Sequence, residues 1–131
     1  MVRLLTGTRR PLGGVLVAIG LLSALPALAG DPGKGKGVFA SECAMCHSNA
    51  RNGPTILGPT LFGIVGRKAG SVAGFSYSSG MKAAGFSWSD AQLTAYLPGP
   101  RNMVPGTKMS YGGLKNPVKL ADLVAYLDAL K

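Results

Sequence analysis

The stretch that decides the fold is Glu42-Cys43-Ala44-Met45-Cys46-His47, which holds both cysteines and the only histidine of the 131 residues. Thiolate and imidazole are the side-chain groups that bind soft and borderline metals best. Because all three lie within five consecutive positions, this segment is the candidate functional centre. The rest of the sequence has to be consistent with what this segment binds.

The first 29 residues have the order of a secretory signal peptide. An apolar run covers 12–22, and Ala27-Leu28-Ala29 has the small-x-small pattern of a cleavage site. Cleavage after Ala29 would leave one domain, residues 30–131. The alternative is an uncleaved membrane anchor, since about 18 apolar residues only just span a bilayer. Pro26 and the Ala-Leu-Ala pattern favour cleavage. The basic start consists of Arg3, Arg9 and Arg10.

The exported domain is basic but has no basic cluster. The net charge of +9 falls to +6 because three arginines leave with the signal and no acid does. Nucleic acid is an unsuitable partner for an exported protein, and spread charges serve solubility as readily as docking. These spread basic residues are Lys34, Lys36, Lys68, Lys82, Lys108, Lys115 and Lys119.

The apolar side chains alone form only a small hydrophobic core. The chain carries 20 glycines and nine prolines, and each glycine costs backbone entropy when it is ordered. A domain of about 100 residues folds with little stability to spare. We infer that a group other than side chains helps to fill the centre.

The helix signals are clear but short, and strand signals are nearly absent. Asp31-Pro32 predicts a helix start, and that helix runs to about Cys43. Ser89 opens a capping box whose helix ends at Pro98-Gly99-Pro100. Asn116-Pro117 opens a last helix, and a short helical turn is predicted over 78–84. The apolar face of the last helix consists of Leu120, Leu123, Val124, Leu127 and Leu130. The irregular stretch 48–77 is long for a compact domain.

The C-x-x-C-H pattern of residues 43–47 is typical of covalent haem attachment. Two thiols three positions apart on a helical turn can reach the two vinyl groups of a porphyrin. The next residue, His47, can then ligate the iron. A bound haem would also supply the missing core.

Three alternatives to haem remain open at this point. A redox-active disulfide fits an oxidising compartment, but such motifs follow a strand and none precedes Cys43. A zinc site needs about four ligands, and this segment supplies three. A structural disulfide leaves both His47 and the sparse core unexplained.

The second iron ligand cannot be a histidine, because the chain has one. The candidates are a lysine, an open position, or one of the methionines. Met45 lies inside the attachment segment, where it is badly placed. Met109 is favoured because Pro105-Gly106-Thr107-Lys108 forms a rigid turn before it, where a methionine would otherwise be exposed. A methionine elsewhere is more typical of core packing; the other candidates are Met81 and Met103.

Residues 30–131 resemble a class I cytochrome c of the mitochondrial and purple-bacterial type. The matching stretches are GKGVF, CAMCH, GPTLFGIVGRKAG, GFSYSSGMKAAGFSW, AYLPGP, PGTKMSY and DLVAYL. The resemblance implies an all-α fold, in which three to five short helices and long loops wrap one haem bound through both cysteines. Gly35 and Phe39 of the first helix would pack against Leu123 and Tyr126 of the last.

The resemblance also implies roles for residues around the haem. His47 and Met109 would be the axial ligands. The Pro59 carbonyl would accept a hydrogen bond from the His47 ring, and Tyr96 would hydrogen-bond near the Met109 sulfur. Three further residues would compensate the charge of a buried propionate: Arg67, Tyr77 and Trp88.

Two residues depart from the family pattern. Met81 stands where mitochondrial members usually have an asparagine of the haem-side hydrogen-bond network. The resemblance therefore does not fix the local water structure or the fine tuning of the reduction potential. Glu42 stands where those members usually carry a docking lysine, which weakens the positive surface at that edge.

A thioether ligand stabilises ferrous iron and raises the reduction potential. We therefore expect a monomeric, periplasmic one-electron carrier and not an enzyme. The resemblance implies a quinol-oxidising cytochrome complex as donor, and a terminal oxidase or photosynthetic reaction centre as acceptor. Arg101, Lys108 and Lys115 are expected around the open haem edge, with Lys82 and Lys68 further out; such charges mainly speed encounter.

Two alternatives for the function remain. The carrier could serve a periplasmic dehydrogenase instead of the main respiratory chain. A haem peroxidase or gas sensor would need a labile sixth position, against which the PGTKM segment argues.

Overall fold

The computed structural model describes residues 28–131, and its regular structure is helical. Residues 1–27 of the predicted signal peptide lie outside the described residues. Five helices follow in chain order: α1 Pro32–Glu42, α2 Ser79–Lys82, α3 Asp90–Tyr96, α4 Pro100–Met103 and α5 Pro117–Ala129. Within 28–131 there is no strand, and one antiparallel bridge joins Lys68 to Ser87. The all-α prediction is confirmed.

The three long helices begin where the capping signals predict. The Asp31 carboxylate accepts from the backbone N–H of Gly33 at 2.8 Å, and Pro32 follows at the first helical position. Ser89 and Asn116 cap α3 and α5 in the same manner. These side chains satisfy N–H groups that have no partner inside the helix.

Helix α4 was not predicted, because Pro98-Gly99-Pro100 was interpreted only as the end of α3. Pro100 instead occupies the first position of α4, where its fixed φ suits a helix and its missing N–H costs nothing. Its ring is among the most buried side chains of the described residues. The same proline therefore separates two helices and starts the second.

Helices α1 and α5 pack closely enough to require glycine at the contact. A Cβ placed on Gly35 would lie in the same space as the carbonyl oxygen of Asp122. One turn further on, the Phe39 and Tyr126 rings are 5.6 Å apart between centroids. Leu123, between them on α5, is 1% exposed. The predicted contact of the first and last helices is confirmed.

Residues 66–69 of the long irregular stretch are held by hydrogen bonds to residues 86–88 instead of by a helix. Gly66 donates to the Trp88 carbonyl at 2.7 Å, and Trp88 donates back to Arg67 at 2.9 Å. The Ala69 N–H donates to the Phe86 carbonyl at 3.0 Å. These bonds hold the loop along one side of a deep cavity.

Candidate cofactor site

A cavity of 440 Å³ opens between the end of α1 and the loop that joins α4 to α5. Its lining is mostly apolar and combines the attachment segment with buried side chains from α2, α3 and α5. The predicted haem residues that line it are Cys43, Cys46, His47, Pro59, Arg67, Tyr77, Trp88, Tyr96 and Met109. The structure thus brings all nine sequence-predicted cofactor residues to one cavity.

The two cysteines lie on a turn that continues the path of α1. The N–H groups of Cys46 and His47 both bond to the carbonyl of Cys43, at 3.0 and 2.9 Å. No bond joins Cys43 to Cys46, so neither disulfide alternative is present in residues 28–131. Burial, and then the Glu42 carboxylate, raise the pKa of Cys43 to about 11, whereas redox-active cysteines have lowered pKa values.

The zinc alternative also lacks support. Across residues 28–131 there is no group of three or more His, Cys, Asp or Glu side chains that could hold a metal ion. A closed zinc site would need about four such ligands.

The His47 ring is held in one tautomer and one orientation. Its Nδ1 donates to the carbonyl oxygen of Pro59 at 2.7 Å, which leaves the Nε2 lone pair as the ligand atom. Burial lowers the pKa of His47, the Pro59 bond acts the other way, and Arg67 lowers it further. The neutral imidazole that a metal requires is therefore favoured. Gly58 packs flat against the ring, since a Cβ there would lie 2.3 Å from Cε1.

The Met109 sulfur is positioned by a hydroxyl group from α3. Tyr96 donates from Oη to Met109 Sδ at 3.3 Å, and its ring is 4% exposed. The Thr107 hydroxyl lies 3.5 Å from the same Oη and accepts from the Met109 N–H at 3.3 Å. Burial raises the pKa of Tyr96, and the Thr107 bond opposes that shift. The hydroxyl therefore stays protonated and able to donate.

The other methionines are placed differently. Met81 is buried in α2 and lines the cavity, whereas Met103 packs against the core outside the cavity lining. Met45 is 85% exposed and does not line it. Of the four methionine candidates, Met109 and Met81 reach the cavity, and the hydroxyl contact is made to Met109.

Arg67 brings a positive charge to the cavity without an acidic partner. Its Nη1 and Nη2 donate to the carbonyls of Phe62 and Thr60, at 3.2 and 2.8 Å. The one ion pair formed within residues 28–131 lies far along the sequence, between Lys131 and Asp128. Burial lowers the pKa of Arg67. A half-buried guanidinium held by two carbonyls fits an anionic cofactor group.

Tyr77 and Trp88 line the same cavity as Arg67. The Tyr77 hydroxyl accepts from the Val72 N–H at 3.1 Å, which leaves its own proton available. The Trp88 ring stacks edge-on against Tyr96, with centroids 4.9 Å apart. This aromatic contact joins the propionate residues implied by the resemblance to the residue that positions Met109.

The predicted docking residues do not all lie where they were expected. Lys68 and Lys108 line the cavity, so Lys68 is closer to it than the sequence analysis placed it. Arg101 and Lys115 line a separate depression of 360 Å³. Lys82 ends α2 and lines neither of these two cavities.

Sequence reasoning missed two contacts at the cavity. Tyr111 donates to the Glu42 carboxylate at 2.9 Å, and both residues line the cavity. Burial and the Glu42 carboxylate raise the pKa of Tyr111 above its usual value. Lys108 Nζ donates to the Ser76 carbonyl at 2.8 Å. The sequence signal for the contact between Tyr111 and Glu42 was a tyrosine two positions after Met109.

The donor set fits a haem. The cavity offers two thiols for attachment, an imidazole nitrogen, a thioether sulfur and a guanidinium without a counter-ion. Apolar surface makes up most of the remaining wall, as a large flat macrocycle requires. A metal ion bound only by side chains would not need this combination of groups, whereas a haem does.

Comparison with known proteins agrees with this fit. The family model described as Cytochrome c matches residues 33–131. A cytochrome c of Arabidopsis thaliana is 45% identical over 101 residues, which cover 77% of this chain and 90% of that protein. A cytochrome c of Gibberella zeae is 46% identical, over 75% of this chain and 92% of its own. A cytochrome c2 of Rhodomicrobium vannielii is 48% identical, over 76% and 78%. The chain belongs to the cytochrome c family and carries one haem c, attached through Cys43 and Cys46.

Proposed function

We propose that this monohaem electron carrier is exported to the periplasm and shuttles single electrons at high potential. Its donor is a quinol-oxidising cytochrome complex, and its acceptor is a terminal oxidase or a photosynthetic reaction centre. The observation that carries the proposal is that Tyr96 donates a hydrogen bond to the Met109 sulfur in the cavity that His47 also lines.

The chain's own residues hold the cofactor in one state of coordination. Haem, when bound, supplies a one-electron iron couple. His47 presents Nε2 because Pro59 occupies Nδ1, and Met109 presents a sulfur that Tyr96 orients. A soft thioether favours the reduced metal and raises the potential. With both positions filled by the protein, no site is left for a peroxide or a gas, so the proposal is a carrier and not an enzyme.

Three residues support the proposed handling of the propionate charge. Arg67 is fixed by Thr60 and Phe62, and Tyr77 and Trp88 line the cavity beside it. Arg67, fixed by its two carbonyl partners, would hold a propionate without large movements of solvent. A small rearrangement is what a fast carrier requires.

The optical spectrum of the oxidised protein tests the ligand assignment. Native protein should show the weak long-wavelength sulfur-to-iron charge-transfer band, and Met109→Ala should lose it and bind small external ligands. Met81→Leu is the matched control, since Met81 is the other methionine that lines the cavity. Loss of the band in Met81→Leu but not in Met109→Ala would assign the sulfur ligand to Met81.

Lysines at the cavity rim support electrostatic docking. Lys108 lines the cavity and is exposed, so we expect Lys108→Glu to slow reduction by the donor complex at low salt. Lys119→Glu is the control, because it makes the same charge change on α5 away from both cavities. The difference should vanish at high salt. Equal effects of the two variants, or a native rate indifferent to salt, would refute docking at this rim.

Export is supported by the order of residues 1–29 and is tested by mass spectrometry of the protein from cells. The expected species begins at Gly30 and includes the mass of one haem. A species that retains residues 1–29 would make the protein an anchored form instead. In the part of the chain that the structure describes, no helix is both long and apolar enough for a membrane crossing.

The partner is identified by kinetics. Reduced protein is mixed with oxidase-containing membranes and with illuminated reaction-centre membranes. Oxidised protein is mixed with soluble dehydrogenase fractions and their substrates, in separate experiments. The proposal expects the fastest oxidation with one of the two membrane preparations. Faster electron exchange with a dehydrogenase would identify that enzyme as the redox partner instead.

A further inference from the structure

A single side-chain hydrogen bond ties the loop that carries Met109 to the haem attachment segment. Tyr111 Oη donates to Glu42 Oε2 at 2.9 Å, although the two residues are 69 positions apart. Glu42 is the last residue of α1 and precedes Cys43, whereas Tyr111 follows Met109 by two. Both line the cavity. The bond therefore joins the two segments that hold the proposed iron ligands.

The backbone of this loop has little support of its own. Within the described residues, no backbone N–H or C=O from Ser110 to Gly113 makes a hydrogen bond. The flanking bonds are Met109 N–H to the Thr107 hydroxyl at 3.3 Å and Leu114 N–H to the Leu97 carbonyl at 2.9 Å. Gly112 has open space around it and adds freedom, whereas Gly113 packs against the Pro98 carbonyl near the end of the segment. The Tyr111 side chain is thus the tether of a segment that is otherwise fixed only at its ends.

We propose that Tyr111 is a positioning residue, and that its hydrogen bond to Glu42 keeps the Met109 loop closed. We call this pair the Glu42–Tyr111 latch. It acts on Met109 through the chain, since the Tyr111 hydroxyl bonds to Glu42 and to neither the sulfur nor the imidazole. The inference rests on the proposed role of Met109 as an iron ligand. It also gives a purpose to the acidic residue at position 42, where the sequence analysis found only a loss of positive surface.

The size of the effect follows from the kind of bond. A hydroxyl bound to a carboxylate is charge-assisted, but Glu42 is exposed, so the lower end of the range applies. Removal of the bond should make loop opening about tenfold faster, which equals about 1.4 kcal/mol.

The test is the binding of imidazole to the oxidised holoprotein, followed by rapid mixing. At saturating imidazole, the rate is limited by release of Met109 and therefore by opening of the loop. Tyr111→Phe should raise this limiting rate about tenfold. It leaves the attachment segment untouched, so haem incorporation stays normal. Glu42→Ala should match it, and the double variant should add nothing further.

Two controls separate the latch from a general structural role. Glu42→Gln keeps an oxygen that can accept the bond, so its rate should rise less than that of Glu42→Ala. Tyr126→Phe removes another exposed tyrosine hydrogen bond, the 2.8 Å contact with Asn49, and should leave the rate unchanged. Amide hydrogen exchange should speed up over 110–113 in Tyr111→Phe while α1 and α5 keep their protection.

Failure of the latch and failure of the ligand assignment give different results. If native protein lacks the sulfur-to-iron charge-transfer band, Met109 is not the ligand and both proposals fall. If the band is present but Tyr111→Phe changes the limiting rate by less than about twofold, the latch alone is overturned. Independent, multiplying effects of Tyr111→Phe and Glu42→Ala would overturn it as well.

Discussion

One methyl group added at Gly35 should separate the two helices that close the fold. An ideal Cβ at this position would lie 1.9 Å from the Asp122 carbonyl oxygen, 2.6 Å from its carbon and 2.7 Å from Tyr126 Cβ. Ordinary contacts begin at 3.4 Å, so relief requires movement of well over an ångström. The obstacle is the backbone of α5, which no side-chain rotation can remove. We expect the whole interface of α1 and α5 to shift.

The magnitude is the difference between two known effects. Overpacking costs about 1–3 kcal/mol and sometimes more, and a clash with backbone belongs at the upper end. Alanine regains up to about 1 kcal/mol over glycine in a helix. The net loss for Gly35→Ala is therefore about 2 kcal/mol or more. Gly37→Ala makes the same change on the same helix with nothing within 4 Å, so it should gain up to about 1 kcal/mol.

The assay is guanidinium unfolding of the two haem-loaded variants, followed by far-ultraviolet circular dichroism. The reasoning predicts midpoints on opposite sides of native protein, separated by about 3 kcal/mol in the free energy of unfolding. If Gly35→Ala lies within about 0.5 kcal/mol of native, the close contact of the helices is not the reason for glycine at this position. Equal destabilisation by both variants would mean that the substitutions disturb helix α1 itself and not its contact with α5.

Three further outcomes follow from the same structure. The Cys43→Ser/Cys46→Ser variant should be largely unfolded, and a cooperative helical melt by circular dichroism would contradict this. Gly58→Ala should displace the His47 ring, seen as an altered spectrum and faster exchange of the axial ligands, because the new Cβ would lie 2.3 Å from the ring. Ser89→Ala should cost about 1 kcal/mol through loss of the α3 cap, measured by denaturant unfolding with the spectrum unchanged.

Local signals in the sequence predicted most of the helix starts and the cofactor. Asp31, Ser89 and Asn116 act on N–H groups two or three residues away, so their effect can be read without a structure. The attachment motif is equally local, because Cys43 and Cys46 need only one turn to reach the same macrocycle. Short-range chemistry of this kind depends little on the rest of the fold.

The contacts that were missed join segments distant in sequence. The Glu42–Tyr111 latch spans 69 positions, and Lys108 reaches Ser76 across 32. A glutamate before the attachment motif has many possible partners until the chain is folded. Helix α4 was missed for a different reason: a proline that ends one helix is also the best residue to begin the next.

The size of the cavity indicates how much of the centre of this loop-rich chain the cofactor has to fill. Haem would displace water from the mostly apolar wall of the 440 Å³ cavity. Burial of that wall stabilises the folded chain by about 25 cal/mol per Å² of apolar surface. Native domains have about 5–15 kcal/mol of stability in total. Because that margin is small, we expect the haem-free chain to be largely unfolded and to lose the hydrogen bonds between residues 66–69 and 86–88. The two cysteines thus act on stability before they act on function, because covalent attachment makes this filling permanent.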